Sequence, residues 1–271
     1  LLATSVGLPY VVLAATAPLL QDWFRVAAPG RTPYKLYALS NIGSLAALLS
    51  YPAFAERFLP LGAQASWWSA GFVAFVIVTA LCGWRVLRTG SALAAAAAPV
   101  DATMEDPPSR VDQILWVAFS ACGTGLLLAI TNQLCQEIAV VPLLWILPLA
   151  VYLLTFIVSF AGFYNRAVCF ALFVGAFAAE MYAIGRPNST PLVAQIAAGL
   201  FLVGTGCMLC HGELVRLKPR ARDLTSFYLA LAAGGSVGGM LVTLVGPLVF
   251  TRYTELPLFV LLVALLGWLG L

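Results

Sequence analysis

Apolar residues in this chain come in long runs, and most of its charged residues collect between them. A helix crossing roughly 30 Å of hydrocarbon needs about 20 mostly apolar residues. Nine stretches approach that demand: Leu1 to Leu20, Tyr37 to Phe54, Trp67 to Leu87, Ile114 to Thr131, Val141 to Phe160, Ala167 to Gly185, Leu192 to Cys210, Phe227 to Phe250 and Leu256 to Leu271. The pattern predicts an all-α fold, a polytopic transmembrane helix bundle of about nine spans. One polar gap is longer than the rest. Residues 88–112 contain Thr-Gly-Ser, an alanine run, Asp101, Glu105, Asp106 and Pro107-Pro108. The alanines suit a helix, but the prolines and mixed charges favour a flexible cytoplasmic linker. Residues 1–87 are then a first membrane helix group and 113–271 a second.

The two groups share a pattern. Sliding the sequence by 191 residues places Asp22 on Glu213, Arg25 on Arg216, Arg31 on Arg222, Leu36-Tyr37 on Phe227-Tyr228 and Gly43 on Gly234. In both copies an apolar segment ends, a charged loop follows, and a helix with closely spaced small residues begins. Gly234, Gly235, Gly238 and Gly239 in one copy, and Ser40, Gly43, Ser44 and Ala47 in the other, form overlapping small-xxx-small pairs that let helix backbones approach closely. A phosphate-binding loop would instead need a strand before its glycines. Self-similarity of this kind marks an internal repeat.

Composition agrees with a bilayer setting, at 62% hydrophobic and 9% charged residues, against about 25% charged in soluble domains. The net charge of +3 gives no reason to expect nucleic acid as a partner. The cations are unevenly placed. With loops alternating across nine spans, one side receives eleven Lys and Arg, including Arg25, Arg31, Arg166, Arg216 and Arg222, and the other receives Arg57, Arg186 and Arg252. The positive-inside rule then puts the repeat loops, the linker and the C-terminus in the cytoplasm. Trp23, Trp67, Trp68, Trp84, Trp116, Trp145 and Trp268 fall near span ends, where indoles favour the headgroup level. Prolines in or beside spans, among them Pro18, Pro52 and Pro148, favour a packed bundle, because freed carbonyls need partners away from lipid. The chain opens on Leu1 and closes inside another apolar run, so it is expected to be part of a longer protein.

Few residues offer chemistry. Glu180 lies about 13 residues into its span, about 20 Å along a helix. An intramembrane carboxyl is by default a ligand, proton or cation site, with a neutral or water-paired Glu as the plainer reading. Asn132, Gln133, Gln136 and Glu137 cluster at the outer end of the fourth span, and Asn41 lies in the second. They either line a polar cavity or bond across the bundle. Cys207, Cys210 and His211 match a CxxCH haem-attachment pattern, but covalent haem attachment belongs on the outer side, and His211 is assigned to the cytoplasmic end. No haem or other cofactor is expected. His211 is the only histidine, so no metal site is expected either. The six cysteines lie in or at the ends of apolar segments and act as small hydrophobes.

The paired loops, each an acid followed at i+3 by Arg, resemble those recurring in the two halves of major facilitator transporters. There such charges bridge helix ends and bias inward against outward states, which assigns that role to Asp22, Arg25, Arg31, Glu213, Arg216 and Arg222. The alternative is a positive-inside anchor. Taken with the repeat, Thr16-Ala17-Pro18-Leu19-Leu20-Gln21, Leu36 to Ser44, Ala139 to Trp145 and His211-Gly212-Glu213-Leu214 resemble the membrane region of fused transporter/spermidine synthase-like bacterial proteins. The resemblance implies a facilitator-like fold in the bacterial inner membrane. No soluble synthase domain is found in these residues, so no aminopropyl-transfer residue can be carried over.

The function expected is a transporter-like domain for a small polar or cationic solute. Two alternatives are a structural subunit docking on a larger membrane complex and a membrane anchor for an aminopropyltransferase-like domain outside these residues. Besides the lipid bilayer, the partner expected is a larger membrane complex or a second copy of the chain.

Overall fold

The computed structural model describes residues 7–28, 34–96, 108–135, 144–219, 223–250 and 255–269. They are helical almost throughout, with no strand among them. We number nine helices. α1 is Leu8–Ala27, and α2 runs Tyr34–Ser50, through a π turn at Tyr51–Ala55, to Glu56–Phe58. α3 is Leu61–Ala96, α4 Arg110–Gln133, α5 Ile146–Phe160, α6 Arg166–Gly185 and α7 Leu192–Arg216. α8 is Leu224–Met240, a π turn at Leu241–Val245 and Gly246–Val249, and α9 is Glu255–Leu269. Each of the nine predicted stretches has its helix. Six of them, α2, α3, α4, α6, α7 and α8, are long and apolar enough to cross a bilayer, while α5 and α9 are apolar but shorter. This is a polytopic helical membrane protein.

Helix ends differ from the apolar boundaries because backbone hydrogen bonding does not stop where hydrophobicity does. α1 continues past Leu20 and takes Asp22 and Arg25 into the helix. α7 continues past Cys210, so Glu213 and Arg216 sit on its final turns and not in a loop. Arg216 there meets the negative end of the helix dipole. α3 runs on through part of the alanine run to Ala96.

The repeat is visible in the helices themselves. The π turns of α2 and α8 begin at Tyr51 and Leu241, 190 residues apart and within one residue of the offset read from the sequence. Pro52 lies within the first of these turns, and Pro247 follows the second by two residues.

The chain divides into two compact units, Leu1–Ser40 with Ser50–Pro107, and Asn41–Leu49 with Pro108–Leu271. In the first, α1 packs on α3. Its contact includes the Trp23 indole over Gly83, where a Cβ would come within 2.8 Å of the ring.

In the second unit α4 and α7 lie side by side at the centre, α8 and α9 pack on α4, and α5 and α6 pack on α7. Ser109 starts α4 with a capping box: its hydroxyl accepts from Asp112 N at 3.1 Å, and its own N–H donates to Asp112 Oδ2 at 3.0 Å. Trp116, Phe119, Leu126 and Ile130 of α4 are buried. α8 approaches α4 on its small residues, as the glycine spacing predicts. A Cβ at Gly234 or Gly238 would collide with the backbone carbonyl of Val117 or Ala121, and Ser120 Oγ donates across the contact to Leu231 O at 2.6 Å. At the other end of the pair the Trp116 and Phe227 rings meet edge to face at 5.2 Å. The equivalent Gly43 in α2 has no described atom within 4 Å of where a Cβ would stand.

Candidate functional site

Three clusters of buried polar side chains lie in the second unit. The first is built by a tight reversal between α5 and α6. Gly162 adopts φ +95°, the left-handed conformation glycine tolerates, and closes a Schellman turn in which Gly162 N donates to Ser159 O at 3.0 Å and Phe163 N to Val158 O at 3.1 Å. Asn165 then caps α6 by accepting from Val168 N at 3.1 Å.

The reversal brings Tyr164 and Arg166 onto the end of α7. Glu213, only 3% exposed, accepts from Tyr164 Oη at 2.6 Å and from Arg166 Nε at 2.7 Å. The second carboxylate oxygen pairs with Arg166 Nη2, so the guanidinium binds as a fork. Arg216, one helical turn on and half-exposed, makes a longer contact of 3.5 Å. Gly212 is the residue that admits the Tyr164 ring, because any Cβ there would collide with it. Burial first, and then the hydrogen bond to the Glu213 carboxylate, raise the Tyr164 phenol above its ordinary pKa and keep it a donor.

The second cluster surrounds His211, which is wholly buried. Thr155 Oγ1 donates to Tyr152 O at 2.7 Å and lies 2.9 Å from His211 Nδ1. The hydroxyl thus bridges the Tyr152 carbonyl and the His211 ring, with the direction of the second bond set by the imidazole's tautomer. Nε2 faces Gly123 with no hydrogen-bond partner among the described residues. Phe156 stacks on the imidazole at 3.5 Å between centroids, and Tyr152 meets it edge-on at 4.8 Å.

Cys207 and Cys210 are buried within the α7 packing, the Cys207 thiol 3.6 Å from Gly123 O. No three His, Cys, Asp or Glu side chains among the described residues converge as metal ligands would.

The third cluster joins two residues singled out from the sequence. Gln133, the last residue of α4, donates from Nε2 to Glu180 Oε1 of α6 at 2.9 Å. Glu180 is 1% exposed, with Gly199 of α7 against its other oxygen. Asn132 is half-buried beside Gln133 on α4, whereas Asn41 is half-buried on α2, outside this cluster.

Asp22 lies exposed on α1, in contrast to its repeat counterpart Glu213. Arg25 lies on α1 with its side chain outside the described residues, and Arg31, Glu137 and Arg222 lie outside them altogether.

Between α5, α6 and α7 runs a groove of about 340 Å³ with an almost wholly apolar lining. Glu180, Asn41 and Asn132 do not line it.

Tyr164, Thr155 and Tyr152 are site residues that sequence reasoning missed, and Arg166 entered it only as a loop cation. Arg166 and Glu213 stand 47 residues apart, and no local spacing joins them. The one available signal was Gly162 and Asn165 bracketing Tyr164 between two apolar spans, which marks a tight reversal without saying what it faces. Comparison with protein-family models, with curated proteins and with solved structures finds no match to this chain.

Proposed function

We propose that this chain is a transporter-like membrane domain that handles a small polar or cationic solute, with Glu180 as its ionisable site. The observation that carries the reading is the burial of Glu180 on a spanning helix, held by Gln133 and 1% exposed. A carboxyl in a membrane bundle is costly and most often serves an ion, a proton or a substrate. The parallel repeat supports the same reading, since facilitator-type carriers are built from two such halves. On this reading the Glu213–Arg166–Tyr164 cluster ties α7 to the α5–α6 turn in one conformation and loosens in another. The membrane is the bacterial inner membrane, and the Arg216 end of α7 faces the cytoplasm, following the positive-inside distribution.

The test is uptake by proteoliposomes containing the purified chain, with putrescine and spermidine as probe cations and an imposed pH gradient. Uptake above that of empty liposomes, lost in Glu180→Gln while the variant still reconstitutes, is the expected result. Uptake of both probes no faster than in empty liposomes would overturn the cation-transport reading.

A second reading, a docking subunit, is favoured by one observation. The spanning window of α2 has none of its residues buried and that of α3 only 6%, against 61% for α4. Faces so bare are available to lipid, to the other unit of this chain or to another membrane protein. Co-purification of a stoichiometric partner after mild solubilisation, with no uptake, is the outcome that selects it.

A further inference from the structure

We infer that the groove between α5, α6 and α7 is a binding site for one anionic phospholipid of the surrounding bilayer, its acyl chain in the groove and its phosphate at Arg216. The inference does not depend on whether the domain moves a solute.

The lining selects an apolar occupant. It is formed almost wholly by apolar side chains, among them Val151, Leu154, Leu172, Leu200, Phe201 and Met208. Its two hydroxyls already donate to helix carbonyls, Thr155 to Tyr152 O and Thr205 to Phe201 O at 2.8 Å. A polar solute entering here would lose its water and find no donor in return.

Depth selects a chain lying along one leaflet. Arg166 begins α6 and meets Glu213 of α7, which fixes a common level for the two helices. From that level the lining extends from Cys169 to Leu200, about 4.5 to 20 Å along helices rising about 1.5 Å per residue. One leaflet supplies about half of the roughly 30 Å hydrocarbon thickness, so the groove parallels a single acyl chain.

Charge selects the headgroup. At the shallow end two guanidiniums share one carboxylate, and Arg216 is 52% exposed with only a 3.5 Å contact to Glu213. The excess cation suits a phosphate lying above the groove. A free apolar solute would use the groove without using Arg216.

The experiment places the full chain in nanodiscs of mixed phosphatidylglycerol and phosphatidylcholine. Either lipid carries a diazirine in mid-chain, and photocrosslinked peptides are mapped by mass spectrometry. The expected result is crosslinking of phosphatidylglycerol to residues 151–158, 169–172 and 200–208 about fivefold above phosphatidylcholine, the preference one basic residue confers near an anionic lipid. Arg216→Gln should equalise the two lipids while the tail crosslinks remain. Leu172→Trp, on the groove wall, should remove the tail crosslinks there and leave those on α3 unchanged. Equal yields for both lipids in the unmodified chain would overturn the proposal and indicate an unselective apolar groove. So would yields at the groove no higher than on the lipid-exposed face of α3. Should Leu172→Trp fail to fold, the lipid comparison and Arg216→Gln still decide.

Discussion

Glu213 gathers Tyr164, Arg166 and Arg216 on one carboxylate, and its value lies in partners that cannot be hydrated instead. Arg166 is 16% exposed on its side chain and Glu213 4%, so removing one member leaves the other largely stripped of water. Breaking such a pair costs on the order of 3 kcal/mol, while replacing both members together costs less. Thermal unfolding in detergent should therefore show Glu213→Ala and Arg166→Ala each strongly destabilising and the double variant clearly less so than their sum. Additive losses would mean the pair is not coupled. Arg216→Ala should move stability by under about 1 kcal/mol, because its contact is long and half-exposed. The i+3 acid–Arg spacing visible in the sequence joins Glu213 to Arg216, whereas the closer contact is to Arg166.

Among the helices, α2 and α8 offer a controlled comparison. They share a π turn and one aligned glycine, Gly43 with Gly234, yet only Gly234 stands against another helix's carbonyl. Gly234→Leu must push α8 away from Val117 and break the Ser120–Leu231 hydrogen bond, an overpacking cost of about 3 kcal/mol. Gly43→Leu meets open space and should change stability by less than about 0.5 kcal/mol. Melting curves of the two variants in one detergent check the contrast, and an equal loss in both would show that Gly43 is also a packed position in the protein. Repetition in a sequence records a shared local form. It does not require both copies to find the same neighbour.

Across the whole molecule, the orientation proposed from the cations can be tested directly. In cells, Lys218→Cys should react with a membrane-impermeant maleimide only after permeabilisation, and Ser189→Cys, in the turn before α7, should react in intact spheroplasts. Both positions are exposed. Labelling of both from the same side would show that α7 does not cross between them.

The number and order of helices were legible in the sequence because lipid imposes one simple demand, that about 20 apolar residues satisfy their own backbone within a helix. The 191-residue offset was legible for a similar reason, since spacing along the chain carries straight into spacing along helices. Helix ends were not, because Glu213 and Arg216 stay in the hydrogen-bonded ladder despite their charge. Glu180 and Gln133 could be named from their depth and polarity, but their meeting could not, since α4 and α6 approach only when α7 packs against both. Arg166, Tyr164 and Thr155 acquired their roles in the same way. Hydrophobicity sorts a chain into spans one segment at a time, whereas a buried proton or charge finds its partner only among surfaces brought together from distant segments.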